Sequence, residues 1–204
     1  MTPSDRFTPK KSLGQNFLVN PHVAERIVSS CNLKPTDTVL EIGPGKGALT
    51  HALSHHCQNI LAIEKDKKLA DQLSSDFENT NVRIIHEDVL NYPFDALPPN
   101  IKIIGNLPYN IVTPIIKKII DHRDNVHEAY VTVQLEYGQR LVAKPGTKNY
   151  GAFSCFVQYY TDTKLLFKIK NSSFQPIPKV QSCFCHLKLL QKPKYQVESE
   201  DFLI

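Results

Sequence analysis

The chain of 204 residues lacks any run of about 20 consecutive apolar residues, the length that a helix needs to cross a bilayer. Its N-terminus, MTPSDRFTPKKSLGQNF, also lacks the apolar core of a secretory signal peptide. Mitochondrial transit peptides are typically Arg-rich and amphipathic, and this start is neither. We therefore expect a cytoplasmic protein without a membrane partner.

The chain is also poor in patterns that bind metals. Its five cysteines are an odd number, and no pair has the spacing of a zinc site. We interpret all of them as reduced thiols that mostly fill the core, and we expect no metal. The five are Cys31, Cys57, Cys155, Cys183 and Cys185. The last two alternate along a predicted strand, so their side chains would share one face.

The composition is that of a globular protein, with 41% hydrophobic and 22% charged residues. The length suits one substantial domain, and no internal repeat is visible. A net charge of +4 is only a weak indication of an anionic partner, because a nucleic-acid binder needs clustered charge. A monomer is the default expectation.

Apolar segments alternate between strand and helix patterns from residue 21 onward. Buried strands are predicted at 38–42, 59–63, 82–85, 101–104 and 129–133. Helices are predicted at 21–31, 46–57, 67–77 and 113–120. This alternation predicts a parallel, doubly wound α/β sheet.

The last third of the chain is less regular. Helices are predicted at 136–143 and 152–160, followed by strands at 164–169 and 180–189. The two strands would form an antiparallel pair at one edge of the sheet. The polar segment after residue 190 has the character of a linker.

A glycine-rich segment, Glu41-Ile42-Gly43-Pro44-Gly45-Lys46-Gly47, follows the first buried strand and leads into a helix. Glycines there let the backbone turn sharply and approach a ligand, although any strand-to-helix turn can contain glycine. The G-x-G-x-G spacing fits the dinucleotide fingerprint G-x-G-x-x-G poorly. A P-loop is excluded because glycine, and not Ser or Thr, follows Lys46.

Two acidic residues follow the next strands of the predicted sheet. Glu64 ends the second strand, where an acid can bind both ribose hydroxyls of a nucleoside. Asp88 follows the third strand, where a carboxylate can accept from an adenine amino group. Each could also be a solvated charge, and Asp88 alone is more often that. Together with the glycine loop they favour an adenosine-containing cofactor without phosphates over NAD.

The fourth strand leads into Asn106-Leu107-Pro108-Tyr109. This could be an ordinary turn, but beside a cofactor loop it suggests chemistry on an exocyclic amine. The Asn106 side-chain oxygen and the carbonyl of Leu107 or Pro108 could accept the two amine hydrogens and free its lone pair. Tyr109 offers a face on which a flipped base can stack, which is typically worth ~1–3 kcal/mol.

These motifs resemble those of the ribosomal RNA small-subunit adenine dimethyltransferases (the KsgA/Dim type), from about residue 11 to 189. The resemblance is carried by four segments, which are Gln15-Asn16-Phe17-Leu18, residues 41–50, Asn106 to Tyr109, and Phe174-x-Pro176-x-Pro178-Lys179-Val180-x-Ser182. One departure is Leu135, where the family usually has a basic residue.

The resemblance implies a Rossmann-like class I methyltransferase with a doubly wound, seven-stranded mixed sheet and S-adenosyl-L-methionine as cofactor. It implies transfer of two methyl groups to each of two adjacent adenosines near the 3′ end of small-subunit rRNA, as part of ribosome biogenesis. A methyltransferase domain is expected at 1–190, with a basic arm at 1–19. Residues 191–204 would be a linker that begins a truncated C-terminal helical domain.

The resemblance also implies roles for individual residues. Asn16 and Leu18 would contact the cofactor, as would Gly45. Gly43 would line its methionine part, Glu64 its ribose and Asp88 its adenine. Asn106 would lie at the reacting centre, and Phe174 would stack on the target adenine opposite Tyr109. From the residues alone, core packing is the more ordinary role for Phe174.

Basic side chains could bind the RNA phosphates, although each is more often a solvated charge. The candidates are Lys10, Lys11, Lys117, Lys118, Arg123, Arg140, Lys144 and Lys148. Three alternatives remain open at this point. They are a large-subunit rRNA methylase of the macrolide-resistance type, a non-catalytic ribosome-assembly or transcription factor on the same fold, and an NAD enzyme.

Overall fold

The computed structural model describes residues 14–195. Within them, nine strands are β1 (Phe17–Leu18), β2 (Thr38–Ile42), β3 (Asn59–Glu64), β4 (Val82–His86), β5 (Ile101–Asn106), β6 (Val126–Gln134), β7 (Thr161–Ile169), β8 (Phe174–Gln175) and β9 (Ser182–Leu189). The α-helices of this region are α1 (Pro21–Ser29), α2 (Ala48–Ser54), α3 (Lys67–Asp76), α4 (Val112–Asp121), α5 (Leu135–Leu141) and α6 (Ala152–Tyr160). The basic arm and the end of the chain lie largely outside the described residues.

Seven of these strands form one mixed sheet in the order β4-β3-β2-β5-β6-β9-β7. The first five of that order pair in parallel, while β9 runs antiparallel to both β6 and β7. The predicted doubly wound mixed sheet and the antiparallel pair at its edge are confirmed. The strand order reverses at β2, and ligands of open α/β sheets bind outside the carboxyl ends of the strands at such a point.

Apolar residues cover both faces of the sheet. On one face, α1 and α2 pack over side chains such as Val39 and Ile104. On the other face, α4, α5 and α6 pack over side chains such as Leu40 and Ile103. The alternation of neighbouring residues between the two faces follows from the two-residue period of a strand. Because both faces are covered, the central strands are almost continuously apolar.

All five cysteines lie in this part of the chain as free thiols, and four of them are buried, as predicted. The Sγ atoms of Cys183 and Cys185 are 3.7 Å apart, so the two side chains share one face of β9. None of the helices within 14–195 has the length and apolar character needed to cross a membrane.

The start of α2 differs from the prediction. The helix begins at Ala48 and not at residue 46, because Gly45 and Gly47 have left-handed backbones with φ of +60° and +81°. A helical turn cannot include such residues, so the loop is longer than the periodicity indicates.

Two strands of only two residues were not predicted. β1 and β8 pair antiparallel, with Phe17 opposite Gln175 and Leu18 opposite Phe174. A backbone hydrogen bond from Val19 N to the Ser173 carbonyl, 2.9 Å long, extends this pairing. The pairing joins the N-terminal segment to the segment that precedes β9. Strands this short show no hydrophobic period from which they could be predicted.

Glu41 is buried inside the sheet, directly before the glycine loop. Its side chain is 1% exposed, and its Oε2 has no hydrogen-bond partner among the described residues. Burial raises the pKa of Glu41 from its ordinary value of 4.5 to about 8, and the nearby Glu64 charge adds to the effect. The fold therefore favours the neutral carboxylic acid at this position.

The first prediction concerns this acid. Between pH 4.5 and about 8 the unfolded chain ionises Glu41 while the folded chain keeps it protonated, so its contribution to stability falls as pH rises through this window. We expect the melting temperature of Glu41→Gln, relative to that of wild type, to increase as the pH rises from 5 to 8. Glutamine has about the same size as glutamate and stays neutral over this range.

Thermal unfolding of both proteins is measured at each pH, and the melting temperature of wild type is subtracted from that of the variant. The subtraction cancels the pH dependence that all other groups contribute to both proteins. Glu78→Gln is the matched control, because Glu78 is exposed. A Glu41→Gln difference that stays constant with pH would refute the raised pKa.

Candidate active site at the carboxyl edge of the sheet

A pocket lies at the carboxyl edge of the sheet, beside the ends of β2, β3 and β5. Its empty space, which includes the open mouth, is about 860 Å³. The pocket is lined by nine of the eleven residues that the sequence nominated, which are Asn16, Gly43, Gly45, Glu64, Asp88, Asn106, Leu107, Pro108 and Tyr109.

The glycine loop forms one wall of this pocket. Gly43 and Gly45 both have positive φ, +66° and +60°, which side chains other than glycine rarely tolerate. A Cβ at Gly45 would lie 2.8 Å from Cδ1 of the Phe17 ring. The loop therefore brings bare backbone against the pocket, and Phe17 closes its outer side.

Glu64 connects the glycine loop to the end of β3. Its Oε2 accepts the Gly45 N–H at 3.0 Å, and its Oε1 accepts the Asp66 N–H at 2.8 Å. Burial raises the pKa of Glu64, and these N–H groups partly offset the effect. Each carboxylate oxygen retains a second lone pair, so the group can still accept from two hydroxyls of a ligand.

Asp88 is also held in place before any ligand binds. Its Oδ2 accepts from Lys65 Nζ at 2.6 Å, and its Oδ1 accepts from Leu90 N at 3.0 Å. Partial burial raises the pKa of Asp88, but the Lys65 ammonium and the Leu90 N–H together hold it below its ordinary value. Asp88 is thus an ionised acceptor at the end of the pocket beyond Glu64.

Asn106 has one end of its amide engaged and the other end free. Its Nδ2 donates to the Asn16 carbonyl at 2.7 Å. Its Oδ1 is buried and accepts no hydrogen bond from residues 14–195. A buried acceptor without a partner costs about 1–3 kcal/mol, and such an atom in a pocket indicates a ligand that donates to it.

The residues after Asn106 form a short connection to α4. The Ile111 N–H bonds the Pro108 carbonyl at 3.1 Å, which closes a turn, and the Leu107 side chain is buried in the core. The Tyr109 hydroxyl lies 2.8 Å from Ser182 Oγ. Burial raises the pKa of Tyr109, so its phenol is neutral at physiological pH.

Two nominated residues lie outside this pocket. Leu18 is buried and lines a smaller pocket on the other side of the glycine loop, beside Gly43 and Asn106. Phe174 is 1% exposed and packs in the core, where its backbone pairs with Leu18. The ring has no free face in this structure and packs in the core, so the stacking expected of Phe174 stays a prediction that would require the ring to become exposed when RNA binds.

The pocket also contains residues that sequence reasoning missed. Lys65 holds Asp88, and the carbonyl of Asn16, more than its side chain, orients Asn106. The only feature of the sequence that could have indicated Lys65 is its position directly after Glu64, at the end of β3. The role of a backbone carbonyl leaves no signal in the sequence.

Several of the basic candidates already have local partners. Lys118 donates to the carbonyls of Leu90 and Tyr92 at 2.7 and 2.6 Å, and Lys117 pairs with Asp121. Lys10 and Lys11 lie outside the described residues. Three others, Arg140, Lys144 and Lys148, are exposed on α5 and in the loop that follows it.

The described residues contain no group of three His, Cys, Asp or Glu side chains that could hold a metal ion. His51 of α2 and His55, the residue that follows the helix, have the i,i+4 spacing of a ligand pair. However, His51 packs against the Phe77 ring with a centroid distance of 4.6 Å.

Comparisons with known proteins agree with this geometry. The sequence profile of the family described as "Ribosomal RNA adenine dimethylase" matches residues 6–203. The chain is 40% identical over 199 residues to "Ribosomal RNA small subunit methyltransferase A" of Geobacter metallireducens, covering 95% of this chain and 72% of that protein. It is 41% identical over 202 residues to the protein of the same name from Alkaliphilus oremlandii, covering 96% and 70%.

Solved structures share the fold. The 23S rRNA methyltransferase ErmE superposes with a TM-score of 0.80 at 24% identity, covering 89% of this chain and 73% of that chain. A dimethyladenosine transferase from Plasmodium falciparum superposes with a TM-score of 0.77 at 29% identity, covering 87% and 63%. The fold is therefore the Rossmann-like methyltransferase fold that the resemblance implied, and the family profile together with the 40% identity shows that this chain belongs to the ribosomal RNA adenine dimethylase family.

Proposed function

We propose that this protein transfers methyl groups from S-adenosyl-L-methionine to the exocyclic amines of two adjacent adenosines near the 3′ end of small-subunit rRNA. The observation that carries the proposal is the buried Asn106 Oδ1, an acceptor without a partner in the described structure that belongs to a residue lining the pocket. Relatives about 40% identical that are named small-subunit methyltransferases support the choice of rRNA.

The residues present fit this cofactor. The bare backbone at Gly43, where a Cβ would meet only the Asn106 carbonyl at 4.0 Å, leaves room for its methionine part. Glu64 has lone pairs for two ribose hydroxyls, and Asp88 can accept from the adenine amine. When bound, S-adenosylmethionine supplies a methyl group that is already activated on a sulfonium.

The remaining work of the protein is to prepare and position the target amine. Asn106 Oδ1 would accept one amine hydrogen. The Leu107 carbonyl is the first candidate to accept the other, because the Pro108 carbonyl already uses one of its two lone pairs for Ile111 N. Accepting both hydrogens favours a pyramidal nitrogen with a freer lone pair. Catalysis then depends mainly on alignment, and the proton can leave to solvent after transfer.

Tyr109 would stack on the flipped adenine. Tyr109 lines the pocket together with Asn106, which supports this role. Phe174 is buried and the Phe17 ring packs against Gly45, so Tyr109 is the best candidate among the aromatic residues of the described site to supply this face.

The alternatives are less well supported. ErmE, a 23S rRNA methyltransferase, is similar at a level that shows only the fold, whereas the small-subunit methyltransferases are similar in sequence over most of the chain. A non-catalytic factor would not need an intact Asn106 to Tyr109 segment. We further propose that the protein is a cytoplasmic monomer, with a methyltransferase domain up to residue 190 followed by a linker.

The second prediction tests Asn106. We expect Asn106→Ala to lower methyl transfer about 100-fold or more, because removing one group that binds the reacting centre typically costs that much. The measurement is transfer of labelled methyl from S-adenosylmethionine to small ribosomal subunits that lack the modification, with the product mapped as dimethyladenosine.

Asn91→Ala is the matched control, because Asn91 is exposed and lies outside the pocket. Full activity of Asn106→Ala, with its fold intact by circular dichroism, would remove Asn106 from the mechanism. Label in the large subunit of the ribosome would instead favour the resistance-type methylase.

The third prediction concerns the RNA. If Arg140, Lys144 and Lys148 neutralise phosphates, the logarithm of RNA affinity should fall with the logarithm of salt concentration, by about 0.7–0.9 per contact. Replacing all three with alanine should flatten this slope by about two units. Filter binding at salt concentrations between about 50 and 200 mM, the range over which phosphate contacts lose most of their affinity, measures this slope.

The control is the double variant Lys34→Ala with Lys188→Ala. Both lysines are exposed and lie at the edge of the sheet where the parallel strands begin, away from the pocket at their carboxyl ends. A flat salt response of the wild-type protein would count against electrostatic RNA binding altogether.

A further inference from the structure

The hydroxyl of Tyr109 has a role that stacking does not require. A phenylalanine would offer a base nearly the same ring face, yet here the phenol oxygen lies 2.8 Å from Ser182 Oγ. That distance is typical of a good hydrogen bond between two hydroxyl groups. The bond joins the segment after β5 to the first residue of β9, 73 positions further along the chain.

Ser182 is a rigid partner for this bond. Its side chain is 0% exposed, and its backbone lies between two strands, opposite Gln134 of β6 on one side and Ile169 of β7 on the other. In addition, the residue before it accepts the Leu135 N–H at 2.8 Å. A side chain in such a position has little freedom to move.

Tyr109, by contrast, belongs to the short connection between β5 and α4. It is only partly buried, and it lines the pocket together with Asn106. A ring attached to a connecting segment can adopt several χ1 and χ2 angles unless its far end is held. The Ser182 hydroxyl holds that end.

We propose that Ser182 is a positioning residue for methyl transfer, which sets the orientation of the Tyr109 ring and thereby the plane in which the target adenine stacks. This inference rests on the proposed function for its consequence, but the orientation of the ring belongs to the free protein. A base that stacks in the wrong plane would direct its amine away from Asn106 Oδ1. The effect therefore falls on the transfer step more than on cofactor binding.

The test is a double-mutant cycle of Tyr109→Phe and Ser182→Ala. Each single change removes the hydrogen bond, and we expect each to lower kcat about three- to tenfold, the usual range for one such bond, with the KM for S-adenosylmethionine unchanged. Because both act on one interaction, the double variant should be no slower than the slower single variant. Multiplicative losses in the double variant would overturn the proposal.

Tyr137→Phe is the matched control. Tyr137 OH lies 3.0 Å from Thr113 Oγ1, a comparable hydroxyl pair whose two residues do not line the pocket. We expect its kcat to equal that of wild type. A loss as large as that of Tyr109→Phe would mean that the hydroxyl effect is general and not specific to Ser182.

Nuclear magnetic resonance of the chain with ¹³C-labelled tyrosine tests the same claim without RNA. Tyr109→Phe identifies the Tyr109 ring signals, and we expect Ser182→Ala to speed the flipping of that ring while the other tyrosines are unaffected. Unchanged Tyr109 signals would overturn the proposal even if the enzyme is active. Absence of transfer by the wild-type protein would instead refute the proposed function, and the ring signals would still decide the role of Ser182.

Discussion

The hydrogen bond from Asn106 Nδ2 to the Asn16 carbonyl, 2.7 Å long, determines which end of the Asn106 amide is left without a partner at the end of β5. An amide has a donor end and an acceptor end, and the carbonyl accepts only from the nitrogen. The oxygen is therefore the opposite end of the amide, and no residue among 14–195 donates to it. An unsatisfied buried acceptor is costly unless a ligand completes it, so this one bond gives the site its chemical character.

That bond depends on an N-terminal segment with little structure of its own. The segment is held because β1 pairs with β8 and because Phe17 packs on Gly45. The same pairing fixes the start of the chain that leads to β9 and to Ser182. Three segments thus contact one another around the pocket at the point where the strand order reverses. They are the N-terminal segment, the glycine loop and the segment that leads from β8 to β9. A change in any of these segments would therefore alter the position of Asn106 or Tyr109.

Much of this arrangement could be predicted from the sequence, since parallel strands bring the residues after each strand to one edge. That rule alone placed Gly43, Glu64, Asp88 and Asn106 together. The parts that could not be predicted depend on contacts between distant segments. β1 and β8 are too short to show a period, and the start of α2 depends on the backbone of Gly47. For Phe174, the motif indicates that the residue lies near the site, but it does not indicate whether the ring points into the site or into the core.

The two buried glutamates beside the glycine loop show what separates a binding acid from a structural one. Glu41 and Glu64 are 1% and 6% exposed, and burial raises the pKa of both. Only Glu64 has backbone N–H groups directed at both of its oxygens, which offset part of the desolvation and fix the carboxylate where it lines the pocket. Glu41 has an oxygen without a partner and does not line that pocket. Burial alone thus does not mark a ligand-binding acid. Glu64 is the better candidate of the two, because preformed donors hold its carboxylate and the residue lines the pocket.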